Sequence, residues 1–141
     1  MLTLVPSSPN CIYGMGKQVS HSPWHVLVVE HNPAIREMLC RALELAGYRV
    51  TEYAGGEAWV DSIKQSDDPP ALVILDLSIL PMPSIAFLHN LRAQWKIVPP
   101  IITLTTNKQI YDELAVVERV FYKPFHIREL LAEIQQVLSL S

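Results

Sequence analysis

Cysteine, basic charge and long apolar runs are all scarce in this sequence. Cys11 and Cys40 are the only cysteines among 141 residues. Two thiols do not make the disulfide framework of a small secreted domain, so a reducing, cytoplasmic setting is expected. Cys40 falls on a helical pattern, where a thiol is buried and inert. Lys and Arg number 11 against 14 Asp and Glu, giving a formal charge of -3. That balance offers no electrostatic footprint for nucleic acid or an anionic membrane surface. The longest apolar run, "ALVIL" at 71–75, is far short of the ~20 residues that span a bilayer. The N-terminus has neither the basic start nor the apolar stretch of a signal peptide. Neither nucleic acid nor membrane is therefore expected as a partner.

What is present is half hydrophobic and 18% charged, enough for one domain with a real core. Residues 1–24 mix Pro, Ser and Gly without periodicity and read as a flexible tail, with Met15 as a second candidate start. Residues 25–141 read as the domain. "HVLVVE" (25–30) is a continuous apolar run ending in charge, as in a strand covered on both faces. Asn32 then serves as a helix N-cap, with Pro33 at the first helical position. Ile35, Met38, Leu39, Ala42, Leu43 and Ala46 form one helical stripe, and Gly47 ends it.

The alternation continues along the chain. "YRVTEYA" (48–54) reads as a second strand, with a helix near 57–65. "ALVILDL" (71–77) is the most apolar stretch and the candidate central strand, followed by a helix near 84–95 carrying Leu88 and Leu91. "PPIITLT" (99–105) is a fourth strand, residues 107–117 are weakly helical, and "RVFY" (119–122) is a fifth strand. "HIRELLAEIQQVL" (126–138) is a strongly amphipathic helix. Trp24, Trp59 and Trp95 are read as packing residues. Alternation of this kind implies an α/β fold with a parallel sheet and helices on both faces. In such sheets the ligand site lies beyond the carboxyl ends of the strands.

The strand ends carry the chemistry. Strand 1 ends in Glu30 and His31, strand 3 in Asp76, strand 4 in Thr105, and strand 5 in Lys123 and Pro124. Two carboxylates brought together repel unless a cation lies between them, and a hard ion such as Mg²⁺ suits oxygen ligands. An aspartate beside such an ion and a lysine is suited to nucleophilic attack on a phosphoryl group. The bland alternatives are an aspartate that merely caps a turn and a surface lysine before a rigid proline.

Taken in order, "HVLVVEHNPAIREML", "ALVILDL", "PPIITLTT" and "FYKPF" resemble the receiver domain of two-component response regulators over residues 25 to 138. The resemblance implies a flavodoxin-like fold of five parallel strands in the order 2-1-3-4-5. It implies Asp76 as phosphoacceptor, Lys123 as the phosphate-contacting lysine and Thr105 as the switch hydroxyl. Glu30, Asp76 and the backbone carbonyl of Ser78 would hold Mg²⁺. The implied donor is a histidine kinase or histidine phosphotransfer protein, and the output is a contact with a downstream protein, since little chain follows residue 138.

Three features depart from the family pattern. His31 stands where a second acid is usual, which removes a metal-binding carboxylate. A neutral imidazole favours Zn, Cu, Ni or Fe over Mg²⁺, and His31 is read as a polar neighbour or helix-start residue rather than a ligand. The aromatic switch position is Val120. The segment from Thr105 to Lys123 is short, which predicts a stunted helix there. These departures motivate an alternative, a degenerate receiver that binds proteins without phosphorylation. A flavin carrier would need a Ser/Thr/Gly-rich loop where "EHNPAIR" stands. An aspartyl-phosphate phosphatase would need a second aspartate where Ser78 stands. The domain is thus expected to be a phosphoacceptor rather than an enzyme.

Overall fold

In the computed structural model, residues 24–64, 66–80, 84–106 and 117–139 are described. The expected tail, apart from Trp24, and the weakly helical segment over 107–116 lie outside them. Five strands form one sheet in the order β2-β1-β3-β4-β5. They are β1 (His25–Val29), β2 (Arg49–Tyr53), β3 (Leu72–Asp76), β4 (Ile101–Thr105) and β5 (Arg119–Tyr122). Every neighbouring pair is parallel. The helices are α1 (Pro33–Leu45), α2 (Ala58–Lys64), α3 (Ser84–Gln94) and α4 (Ile127–Ser139).

The period-2 alternation of strand side chains divides the core into two layers. Val26 and Val28 of β1, Leu72 and Ile74 of β3, and Ile102 and Leu104 of β4 face one way. They meet Leu39, Cys40 and Leu43 of α1 and Leu130, Ile134, Val137 and Leu138 of α4. Leu27 and Val29 of β1, Val73 and Leu75 of β3, and Ile101 of β4 face the other way. They meet Trp59 and Ile63 of α2, Leu88 and Leu91 of α3, and Trp95. β3 is buried at every position because it lies mid-sheet with apolar helices above and below. Each of its leucines, isoleucine and valine contributes roughly 1.5–3 kcal/mol by leaving water.

Helix α1 begins where capping chemistry dictates. Asn32 Oδ1 accepts from the backbone N–H groups of Ala34 and Ile35 at 2.9 and 3.0 Å, and Pro33 supplies a first helical residue with no donor to satisfy. The helix ends at Gly47, whose φ of +99° is costly for any residue with a Cβ. Two details differ from the sequence pattern. Met38 is 42% exposed, so the buried stripe of α1 is narrower than expected, and Trp24 is 52% exposed rather than packed. Trp59 and Trp95 do pack, edge to face at 6.4 Å. Among the described residues no helix is long and apolar enough to cross a membrane.

Candidate functional site

The carboxyl ends of β1, β3, β4 and β5 meet at one edge of the sheet. The register explains why. Val29 pairs with Leu75, Asp76 with Leu104, and Thr105 with Tyr122. Glu30, Asp76, Thr105 and Lys123 are therefore neighbours in space although they lie far apart in the chain. Glu30 is 0% exposed and Asp76 1%, so both carboxylates depend on partners within the protein.

Glu30 is held by three groups. Its Oε2 accepts from the Asn32 backbone N–H at 3.0 Å and from Lys123 Nζ at 3.1 Å. Its Oε1 lies 3.0 Å from the same ammonium but accepts no hydrogen bond. The Glu30 carbonyl accepts from Arg36 at 2.8 Å, which ties α1 to the end of β1. Lys123 itself is anchored by its backbone N–H, which donates to the Thr105 carbonyl at 2.8 Å. The Lys123–Pro124 peptide is cis.

Asp76 has both oxygens engaged. Oδ1 accepts from Ser78 N–H at 3.0 Å and from the Ser78 hydroxyl at 2.8 Å, and lies 3.6 Å from Lys123 Nζ. Oδ2 lies 2.7 Å from His31 Nδ1. Burial pushes this carboxyl toward its neutral form. The hydrogen bonds from His31 and Ser78, together with the Lys123 charge, outweigh burial and bring its pKa down to about 2. The bland reading of Asp76 is also realised, since the residue caps the 3-10 turn at Leu77–Ile79. Capping and nucleophile are compatible, because the cap uses Oδ1 alone.

The structure thus brings Glu30, Asp76, Ser78 and Lys123 into contact and sets Thr105, which is buried, on the same edge. His31 does more than start a helix. Its ring turns into the pocket although the residue is 61% exposed. Glu30, His31 and Asp76 each present a ligand atom within 4.8 Å of the others. A divalent cation suits this set, with two carboxylates converging and one buried oxygen of Glu30 lacking a hydrogen bond. Sequence reasoning missed the His31–Asp76 contact, the Ser78 hydroxyl bond and the part played by Arg36. The first had a signal in its adjacency to Glu30, whereas Arg36 had none beyond its place on the first turns of α1. Val120, at the aromatic switch position, is half-buried against the second core layer.

Residues 26–135 match the response regulator receiver domain family, and the chain belongs to it. Curated relatives agree. The KDP operon transcriptional regulatory protein KdpE of Escherichia coli is 35% identical over 118 residues, which are 81% of this chain and 51% of that protein. The phosphate regulon transcriptional regulatory protein PhoB of Escherichia coli is 30% identical over 119 residues, which are 80% of this chain and 51% of that protein. The chain spans about half the length of these relatives. Among solved structures, chemotaxis protein CheY4 of Vibrio cholerae superposes with a TM-score of 0.65 at 28% identity, covering 82% of this chain and 99% of that one. Response regulator TrrA of Thermotoga maritima, in complex with Mg²⁺ and BeF, gives 0.66 at 24% identity, covering 81% and 98%.

Proposed function

We propose that this receiver domain accepts a phosphoryl group on Asp76 from a histidine kinase or a histidine phosphotransfer protein in the cytoplasm. The resulting change is passed on through protein contacts. The observation that carries the reading is the convergence of Lys123 on the two buried carboxylates, at 3.0 Å from Glu30 and 3.6 Å from Asp76.

The chemistry follows from the contacts. An Asp76 oxygen attacks phosphorus, the bond from phosphorus to the donor's nitrogen or oxygen breaks, and an acyl phosphate forms. Oδ1 is committed to Ser78, so Oδ2 is the attacking oxygen once the His31 ring swings outward, and its exposure leaves room for that motion. Lys123 pairs with an oxygen of the transferred group, and the Thr105 hydroxyl hydrogen-bonds to another. Glu30 keeps the lysine aimed. Glu30, Asp76 and the Ser78 carbonyl would hold a divalent ion such as Mg²⁺, the ion present in the TrrA complex. Such an ion neutralises phosphoryl oxygens. The protein then acts as a switch whose two conformations are biased by the modification rather than as a turnover enzyme.

Incubation with acetyl phosphate and Mg²⁺ or Mn²⁺ should add one phosphoryl mass to the wild type and none to Asp76→Asn. Wild type unmodified with either ion would overturn the reading. One observation favours a second reading, a receiver used as a phosphorylation-independent interaction module. His31 occupies Oδ2, the oxygen that would attack.

A further inference from the structure

The geometry points to a site for a borderline divalent transition ion, of the Ni²⁺ or Zn²⁺ type, in which His31 Nδ1 is a direct ligand alongside Glu30 and Asp76. This inference rests on the reading of the pocket as a cation site and names the ion it prefers.

His31 Nδ1 lies 2.7 Å from Asp76 Oδ2 and 3.7 Å from Glu30 Oε2. Ligands bound at roughly 2.0–2.2 Å to one ion lie about 3 Å apart when adjacent, and about 4.2 Å apart when opposite. The His31–Asp76 pair stands close to the adjacent spacing and the His31–Glu30 pair falls between the two, with all three ligand atoms within 4.8 Å of one another. A second observation points the same way. Glu30 is wholly buried, its Oε2 faces His31 Nδ1, and its Oε1 has the Lys123 ammonium at 3.0 Å but no donor in hydrogen-bond geometry. An acceptor in that position gains from a coordinated cation.

Charge and ligand type decide which cation. Glu30 and Asp76 bring two negative charges and Lys123, in contact with both, brings one positive charge. The pocket therefore keeps a net attraction for a dication, though a weaker one than a third carboxylate would give. Mg²⁺ depends on charge and hard oxygen donors and loses most by this exchange. Imidazole nitrogen forms stronger bonds to Ni²⁺, Cu²⁺ and Zn²⁺ than to Mg²⁺, so these ions gain by it. The outward side of His31 leaves the remaining coordination positions to water.

The test is calorimetric titration of the full chain with Ni²⁺ and with Mg²⁺, in wild type, His31→Ala, His31→Asp and Asp76→Asn. His31→Ala should weaken Ni²⁺ by roughly tenfold or more without improving Mg²⁺. His31→Asp should weaken Ni²⁺ and tighten Mg²⁺ by about tenfold, inverting the preference. Asp76→Asn should weaken Ni²⁺ as well, which separates this site from adventitious binding at other histidines. Ni²⁺ affinity unchanged in His31→Ala, or equal Mg²⁺ affinity in wild type and His31→Asp, would overturn the proposal. Phosphorylation of His31→Asp by acetyl phosphate with Mg²⁺ probes the phosphoacceptor reading separately. Its failure, beside Ni²⁺ binding that depends on His31, would remove that reading and leave the metal site in place.

Discussion

His31 Nδ1 and Asp76 Oδ2 stand 2.7 Å apart, so the residue that departs from the family pattern is bonded to the residue that would carry the phosphoryl group. The pairing makes His31 part of the site's electrostatics. It stabilises the Asp76 anion, shields Oδ2, and brings a nitrogen donor to a pocket otherwise made of oxygen.

The Lys123–Glu30 pair should be structural as well as chemical. Removing the ammonium with Lys123→Met leaves a wholly buried carboxylate without its counter-charge. Breaking one side of such a pair costs on the order of 3–5 kcal/mol, and the 14% exposure of Lys123 places the loss toward the lower end. Urea unfolding of Lys123→Met should show a loss of about 2–4 kcal/mol, largely restored by adding Glu30→Gln. A change under about 0.5 kcal/mol would mean that the pair is poorly ordered in solution.

The depressed pKa of Asp76 sets the sign of an acid effect in the metal-free protein. Its folded value, about 2, lies below its ordinary 3.8. The stabilisation is therefore fully present above that ordinary value and is lost as pH falls toward 2. The difference corresponds to about 2 kcal/mol. Metal-free wild type should lose roughly that much more stability than Asp76→Asn between pH 5 and pH 2. Parallel curves for the two proteins would contradict the contacts assigned to Asp76.

Cys40 is buried, and burial first, then the Glu52 and Glu44 charges, pushes its thiol up to about 11. In a Cys11→Ser background, a disulfide reagent at pH 8 should label the folded protein at least about 100-fold more slowly than the urea-unfolded one. Rapid labelling of the native state would show that α1 opens readily from the sheet.

The two-layer core predicts a sharp contrast between two leucines. Leu75 on β3 is 0% exposed, whereas Leu45 at the end of α1 is 83% exposed. Leu75→Ala should cost on the order of 2–5 kcal/mol, and Leu45→Ala should stay within about 0.5 kcal/mol. Thermal or urea unfolding distinguishes these directly.

The fold was legible because its signals are local and periodic. Apolar runs mark β1, β3 and β4, Asn32-Pro33 and Gly47 bracket α1, and Leu130, Ile134, Val137 and Leu138 repeat at helical spacing on α4. The parallel sheet followed from alternation, and the strand order from resemblance. The positions of Glu30, Asp76, Thr105 and Lys123 were legible because strand termini in such a sheet share one edge. Side-chain direction was not. Nothing in one dimension tells that the His31 ring turns inward while Met38 turns outward, since each depends on space left by neighbours distant in the chain. For the same reason Arg36 gave no sign that it would reach the Glu30 carbonyl.

The place of β5 at the margin of the sheet has one more consequence. Lys123 and Glu30 are 93 residues apart in the chain, and the strand that delivers the lysine is half-buried at all four positions and pairs with β4 alone. Marginal strands detach at a smaller free-energy cost than central ones. The ammonium is thus delivered to the pocket by the least-paired of the strands that build it. Asp76, by contrast, ends a strand that is paired on both sides and buried at every position.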